Sequence, residues 1–225
     1  MARRTKEEAL ETRSKLLDSA ECLFQTQGVS RTTLQDIAQH AGATRGAVYW
    51  HFKDKADLFN AMMERVTLPL EDYFSHEQSP EETSSDSGTQ ALEHTRGAIL
   101  KALNQIVNDP QTRRVMEIAT QKVEYIEGIR NIRLRHLTTC NGFLCRVTQG
   151  LNTAMRQKNL TLPLPSTLAA RGLHALIDGL IQNWLCDPQA FNLLEAGQST
   201  MNVYFMGLGF KEELSKAATS SKKPD

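Results

Sequence analysis

One stretch restricts the fold more than any other. Leu173, Leu176, Ile177, Leu180, Ile181 and Trp184 recur at i, i+3, i+4, i+7, i+8 and i+11, the apolar stripe of an amphipathic α-helix. Long alternations of Val, Ile and Thr are missing, and aromatic residues make up only 6% of the chain, so the sequence leans towards an all-α fold. At 225 residues it can form one large or two modest domains, each able to bury a core without disulfides or metals.

The same periodicity places the other helices. Leu16, Leu17, Ala20, Leu23 and Phe24 share one face of a helix over Glu11 to Gln27, which Gly28 stops. Ser30-Arg31-Thr32-Thr33 offers capping hydroxyls for a short helix from Leu34 to His40 or Ala41, Gly42 supplies a left-handed turn, and Thr44 caps a second short helix to about Trp50. Asp54 then caps a fourth helix with Leu58, Phe59, Met62, Met63 and Val66 on its apolar side, and Pro69 is expected near a bend in it. Ser75 to Gly88, polar and holding Pro80, reads as a mobile connector. Leu92, Ile99, Leu103 and Ile106 mark a helix ended by Asp109-Pro110. Val115, Met116, Ala119 and Val123 mark another, and a long helix runs from about Glu127 to Lys158. A last helix carries Leu194, Met201, Tyr204, Phe205 and Leu208, and Ser215 to Asp225 reads as a disordered tail.

Charge and cysteine usage narrow the function classes. Formal net charge is zero, yet Arg3, Arg4, Lys6, Arg31, Arg45, Lys53 and Lys55 fall in the first quarter, whereas Val66 to Thr95 holds seven acidic residues and no Lys or Arg. A basic head on a neutral or acidic body suits DNA binding by the head alone. Cys22, Cys140, Cys145 and Cys186 have neither zinc nor thioredoxin spacing and read as reduced, buried thiols. Neither a signal-peptide core nor a membrane-length apolar run is present, so a cytoplasmic protein with no membrane partner is expected. The sequence lacks Gly-x-Ser-x-Gly, a phosphate loop and His-Glu-x-x-His, and Gly207-Leu-Gly209 lacks the rest of a dinucleotide fingerprint. No catalytic residue, metal or cofactor is expected.

Two short helices around a glycine turn match a helix-turn-helix. Ala38 permits close helix contact, Gly42 turns the chain, and Val48 plugs the second helix onto the first. The second helix carries Thr44, Arg45, Tyr49, Trp50 and His51, which supply a guanidinium for a base edge and hydroxyl and ring donors for phosphates.

The run Arg31-Thr-Thr-Leu-Gln-Asp-Ile-Ala, followed by Ala41-Gly-Ala-Thr-Arg-Gly-Ala-Val-Tyr-Trp-His-Phe-Lys-Asp-Lys, resembles the DNA-binding domain of the TetR family of transcriptional regulators. Met1-Ala-Arg-Arg-Thr-Lys-Glu-Glu-Ala, Met116-Glu-Ile, Lys122-Val-Glu-Tyr and Asp178-Gly-Leu-Ile-Gln-Asn-Trp-Leu narrow the resemblance to its AcrR-, TtgR- and MtrR-like multidrug-efflux repressors. It implies an all-helical homodimer that reads double-stranded operator DNA and releases it on binding a small hydrophobic or cationic inducer. A TetR-type regulator of metabolic or quorum-sensing genes is the alternative. By matching positions, Thr33, Thr44, Arg45, Gly46, Tyr49, Trp50, His51 and Lys55 would form the DNA surface. Arg45 would read a base edge, Gly46 would let the backbone approach, and Tyr49, His51 and Lys55 would hold phosphates. Packing between the third and fourth helices is the competing reading for Trp50 and the favoured one for Phe52.

The resemblance also implies a division into a helix-turn-helix domain over 1–65, with the motif at 33–52, and a ligand-binding and dimerisation domain over 66–214, with the tail at 215–225. Positions matching the drug cavity are Met116, Thr120, Cys140, Phe143, Val147, His174, Ile177 and Gln182, with ordinary helical core as the competing reading. Met116 and Thr120 stand where an amide and an imidazole occur in such cavities, and His174 replaces an aromatic hydrocarbon, so ligand identity does not carry over. The last two helices would pair across the dimer, where Gly179 permits close approach.

Overall fold

In a computed structural model the described residues are 6–66, 88–123 and 130–210. They form nine α-helices: α1 (Lys6–Gln27), α2 (Leu34–His40), α3 (Arg45–His51), α4 (Lys55–Met63), α5 (Gly88–Asn108), α6 (Pro110–Glu117), α7 (Arg130–Lys158), α8 (Ser166–Cys186) and α9 (Leu193–Gly207), with a π-helical segment, Ile118–Lys122, running on from α6. The all-α expectation holds, and among the described residues there is no strand. The bend at Pro69, the connector from Ser75, the start of the long helix at Glu127 and the tail from Ser215 lie outside the described residues.

The chain divides into two compact units, and the division does not follow the linear one. The first unit comprises Met1–Leu68 and Asp109–Leu137, the second Pro69–Asn108 and Thr138–Asp225. Leu16, Leu17, Ala20 and Phe24 of α1, Ile37 and Ala38 of α2, Val48 of α3 and Leu58, Phe59 and Met62 of α4 make one core with Val115 and Ile118 of the α6 segment. The segment after residue 108 therefore shares its apolar face with the head.

A polar knot binds the same elements. Glu21 falls in the apolar stripe of α1, one turn from Leu17 and from Phe24, and is only 2% exposed. A carboxylate in that setting must be paired. Arg65 donates to its Oε1 at 2.8 Å, Gln111 Nε2 donates to the same oxygen at 3.2 Å, and the Arg114 guanidinium stands 3.7 Å from Oε2. Arg65 also reaches Asp18 at 2.7 Å. Two further bonds tie α1 and the turn after it to the α6 segment: Gln25 Nε2 donates to Glu117 at 2.8 Å, and the Val29 amide donates to the Lys122 carbonyl at 3.2 Å.

In the second unit α9 packs on α5 and α8. Close approach there rests on two glycines: a Cβ at Gly197 would collide with the Leu103 side chain of α5, and one at Gly172 with the Tyr204 hydroxyl, which donates to the Ala169 carbonyl at 2.7 Å. Gly179, the glycine that the sequence singled out, would meet nothing within 4 Å. Tight packing inside the chain is therefore not what keeps a glycine there.

Removing the Glu21 carboxylate takes a shared partner from two guanidinium groups and an amide. Glu21→Ala is expected to destabilise the protein by about 2 kcal/mol, below the roughly 3–5 kcal/mol of a wholly buried pair, because Arg65 keeps Asp18 and some water. Urea unfolding monitored by circular dichroism checks this, and a change under 0.5 kcal/mol, the scale of an ordinary surface substitution, contradicts it.

Candidate nucleic-acid interface and sensor residues

The helix-turn-helix is fixed by local hydrogen bonding at both ends of each helix. Thr33 caps α2 through a capping box: its Oγ1 accepts from the Asp36 amide at 3.2 Å, while Asp36 Oδ2 accepts from the Thr33 amide at 2.8 Å and hydroxyl at 2.7 Å. At the other end Gly42 has φ +63, the Ala43 amide donates to Ala38 O at 2.9 Å and the Gly42 amide to Gln39 O at 3.1 Å. That pair of bonds is a Schellman stop. Thr44 Oγ1 then accepts from the Ala47 amide at 3.2 Å and starts α3.

With Val48 wholly buried, α3 has a fixed inner side and therefore a fixed outer one. Phe52, four residues on, is 2% exposed and carries the Arg13 guanidinium 5.3 Å from its ring centroid. It is a core residue, as favoured. Trp50 is 71% exposed and Tyr49 50%, so both stand on the outer side, and Trp50 does not pack between α3 and α4. Thr33, Thr44, Arg45 and Gly46 are exposed, and His51 is half-buried with its ring 4.5 Å from that of Trp50. The Arg45 guanidinium lies 5.6 Å from the Tyr49 ring centroid, a cation–π contact that restricts the arginine without using its donors. A Cβ at Gly46 would meet only Thr44 Oγ1, at 4.0 Å. The missing side chain leaves bare backbone open to an approaching surface.

Lys55 departs from the outward geometry expected of a phosphate donor. Its ammonium donates to the carbonyls of Val29 at 2.8 Å, Ser30 at 3.1 Å and Thr32 at 3.0 Å. An ammonium has three donors, and all three are engaged. Burial pushes its pKa down.

The eight positions expected for a drug cavity do not fall in one unit. Met116, half-buried on α6, and Thr120, exposed on the π-helical segment, belong to the first unit, and the Thr120 hydroxyl donates back to Met116 O at 2.8 Å. Cys140, Phe143 and Val147 of α7 and His174, Ile177 and Gln182 of α8 belong to the second. There Cys140 Sγ lies 3.4 Å from His174 Nε2, and the Phe143 and His174 rings are 5.7 Å apart. The Cys140 thiol is pushed up by burial, with the negative charge of Asp178 adding to the shift. Val147 and Ile177 are buried and Gln182 is half-buried. The family resemblance did not single out the Glu21 knot. Its signal was an acidic residue inside an apolar stripe.

A capped helix-turn-helix with exposed Arg45, Tyr49 and Trp50, in a chain whose described residues form helices and no strand, defines a DNA-binding regulator. Residues 16–62 match the family described as "Bacterial regulatory proteins, tetR family", and residues 90–210 match "MAATS-type transcriptional repressor, C-terminal region". The chain is 37% identical over 194 residues to the HTH-type transcriptional regulator TtgR of Pseudomonas putida, covering 86% of this chain and 90% of that protein. Its fold is similar to that of NalD, the secondary repressor of the MexAB-OprM multidrug efflux pump in Pseudomonas aeruginosa, with a TM-score of 0.74 and 35% identity over 90% of this chain and 98% of that one. It is also similar to SmeT in complex with triclosan, with a TM-score of 0.66 and 29% identity over 87% and 90% of the two chains; SmeT is the repressor of the Stenotrophomonas maltophilia pump SmeDEF. This chain belongs to the TetR family.

The α2 cap carries a pH signature. The Thr33 hydroxyl, and after it the Thr33 amide, hold the Asp36 carboxyl below its ordinary range. A depressed folded pKa contributes stability above the unfolded value and loses it as pH falls through the folded one. Amide protection at the start of α2, measured as the exchange rate relative to its intrinsic value at each pH, should therefore be lost below the usual aspartate range in the wild type. In Asp36→Asn that protection should be weaker at neutral pH and should not change with pH. Parallel pH profiles for the two proteins would contradict this.

Proposed function

We propose that the protein is a ligand-responsive transcriptional repressor, binding operator DNA as a homodimer and released by hydrophobic or cationic compounds, and that it controls a multidrug-efflux operon from the cytoplasm. The observation that carries this reading is the outward-facing α3, with Arg45, Tyr49 and Trp50 exposed, in a chain 37% identical to TtgR over 86% of its length. Thr33, Thr44, Arg45, Gly46, Tyr49, Trp50 and His51 form the DNA surface. Arg45, held against Tyr49, reads a base edge in the major groove, and the hydroxyl and ring donors around it take phosphates.

A two-fold operator requires a two-fold protein. The second copy is proposed to pack on α8 and α9, where Leu168, Val203 and Met206 are exposed and Gly179 leaves open space. The inducer is proposed to contact Cys140, Phe143, Val147, His174, Ile177 and Gln182 of the second unit. The Cys140–His174 pair gives it a polar contact among apolar walls. Triclosan, bound by the similar SmeT, is a rational first probe.

Loss of a bidentate base contact costs roughly 1–3 kcal/mol and relaxes one base pair. Arg45→Ala is expected to do so on the operator that footprinting finds upstream of the gene, with selection from a randomised site as the readout. Retention of full base preference would remove Arg45 from the readout.

Ligand and operator must also oppose each other. A coupling of about 1–3 kcal/mol corresponds to 5–150-fold, and linkage makes it equal in both directions. Calorimetry of triclosan against the free protein and its operator complex is expected to show weaker binding to the complex by the factor by which triclosan weakens DNA binding. Tight triclosan binding with identical affinity in both titrations would refute induction by this compound class.

A further inference from the structure

We propose that Lys55 is a positioning residue for DNA binding, a latch that closes the helix-turn-helix on itself, and not a phosphate ligand. The inference rests on the reading of the head as a DNA-binding unit. The ammonium stands in the first turn of α4, the positive end of the helix dipole, where a cation is disfavoured. What compensates is a cradle of three carbonyls: Val29, Ser30 and Thr32, at 2.8, 3.1 and 3.0 Å. These carbonyls belong to the short connection between α1 and α2, and no intrahelical amide takes them up. A turn with this many unpaired acceptors needs a donor, and the Thr32 hydroxyl is already used on Gly28 O at 2.8 Å.

The position of the contact gives it its function. Thr32 and Lys55 are the two ends of the segment that holds α2, the turn and α3. Pinning them together makes a closed loop of the whole motif, so that the direction in which α3 projects is set by the latch as well as by Val48 and Phe52. The next residue after the pinned carbonyl is Thr33, whose capping box starts α2. On the other side, Val29, whose carbonyl accepts from Lys55, donates its N–H to Lys122 O at 3.2 Å, at the end of the π-helical segment that carries Thr120. One residue thus joins the latch to the segment that carries Thr120, within the same unit.

A phosphate ligand and a latch differ in what they do to salt dependence and in what an arginine can replace. The probe is a labelled random-sequence duplex titrated by fluorescence anisotropy over a salt series, with full-length wild type, Lys55→Met and Lys55→Arg. Removing a phosphate contact lowers the slope of log affinity against log salt by about 0.9, and an arginine restores such a contact. For a latch, K55M is expected to bind roughly 2- to 30-fold more weakly with an unchanged slope. K55R is expected to be as weak as K55M, because a planar fork does not fit three converging carbonyls. Amide exchange at Val29 and Asp36 should quicken in both variants, while Phe59 inside α4 keeps its protection. A slope reduced by about 0.9 in K55M, wild-type affinity in K55R, or full affinity in K55M overturns the proposal. If K55M fails to fold, K55R, which keeps the charge, decides: restored affinity overturns the latch, and weak binding with fast exchange at Val29 and Asp36 supports it.

Discussion

The burial of Val115 and Ile118 in the core of the helix-turn-helix unit is the constraint on which the architecture of the first unit depends. Without it α1 to α4 would be a small head with a core of its own and a segment merely tethered to it. With it, a stretch more than forty residues beyond α4 in sequence becomes a structural element of the head. The apolar contact is non-directional and would tolerate sliding. The polar bonds around it do not: Glu21 with Arg65, Gln111 and Arg114, Gln25 with Glu117, and Val29 with Lys122 fix the register of the α6 segment on α1. Hydrophobic burial supplies most of the stability, and the buried carboxylate supplies the alignment.

The recognition helix is placed by the same division of labour at shorter range. Val48 and Phe52 lie one turn apart and face inward, which leaves Tyr49 and Trp50 outside. A seven-residue helix such as α3 has no stability alone, since helices shorter than about 12–15 residues are marginal in water. It persists because Thr44 caps it, Phe52 ends it with its amide on Val48 O at 2.8 Å, and the Schellman stop of α2 sets where it begins. Rigidity of this kind is what base reading requires, because a guanidinium that must be ordered on contact gives up affinity in doing so. The stacking of Arg45 on Tyr49 completes that ordering in advance.

The head was largely legible in the sequence because its information is local. Thr33, Gly42, Thr44 and Asp54 each act over three or four residues, and the caps and turn stand where their chemistry put them. Phe52 and Trp50 were separable in principle: residues two apart on a helix point to nearly opposite sides, and Val48 already marks the inner one. The partner of the α6 segment was not legible, since periodicity tells which face of a helix is buried but not against what. A linear boundary at residue 66 therefore gave residues 109–137 to the body, whereas they cluster with the head. Direction was also hidden at Lys55. A motif match carries the identity of a residue and leaves open which way an unbranched four-carbon stem turns, and that is decided by acceptors at Val29, Ser30 and Thr32, far away in sequence. Close packing at Gly172 and Gly197 rather than Gly179 is a third case, because a glycine in an apolar helix gives no sign of which neighbour crosses it.

The magnitudes bear on how a sensor of this build can work. A coupling of about 1–3 kcal/mol between ligand and operator is small beside the roughly 5–15 kcal/mol that holds a domain together, so induction requires no unfolding of the head. It is comparable to the net worth of one to three hydrogen bonds at about 0.5–1.5 kcal/mol each. At the far end of the α6 segment Gln25 of α1 bonds Glu117 and Val29 of the following turn bonds Lys122, on either side of Thr120. The π-helical segment is itself suited to a small change, since its wide turn differs from an ordinary helical one by a single residue of register. The Glu21 knot, by contrast, is buried and many-membered, and breaking it would exceed what a ligand has to offer. The arrangement therefore has a many-membered buried polar cluster at Glu21, close to the α6 N-terminus, and a backbone bond at Lys122, against the loop that holds Lys55. At Lys122 the carbonyl meets the Val29 amide, and Val29 is where the chain enters the helix-turn-helix.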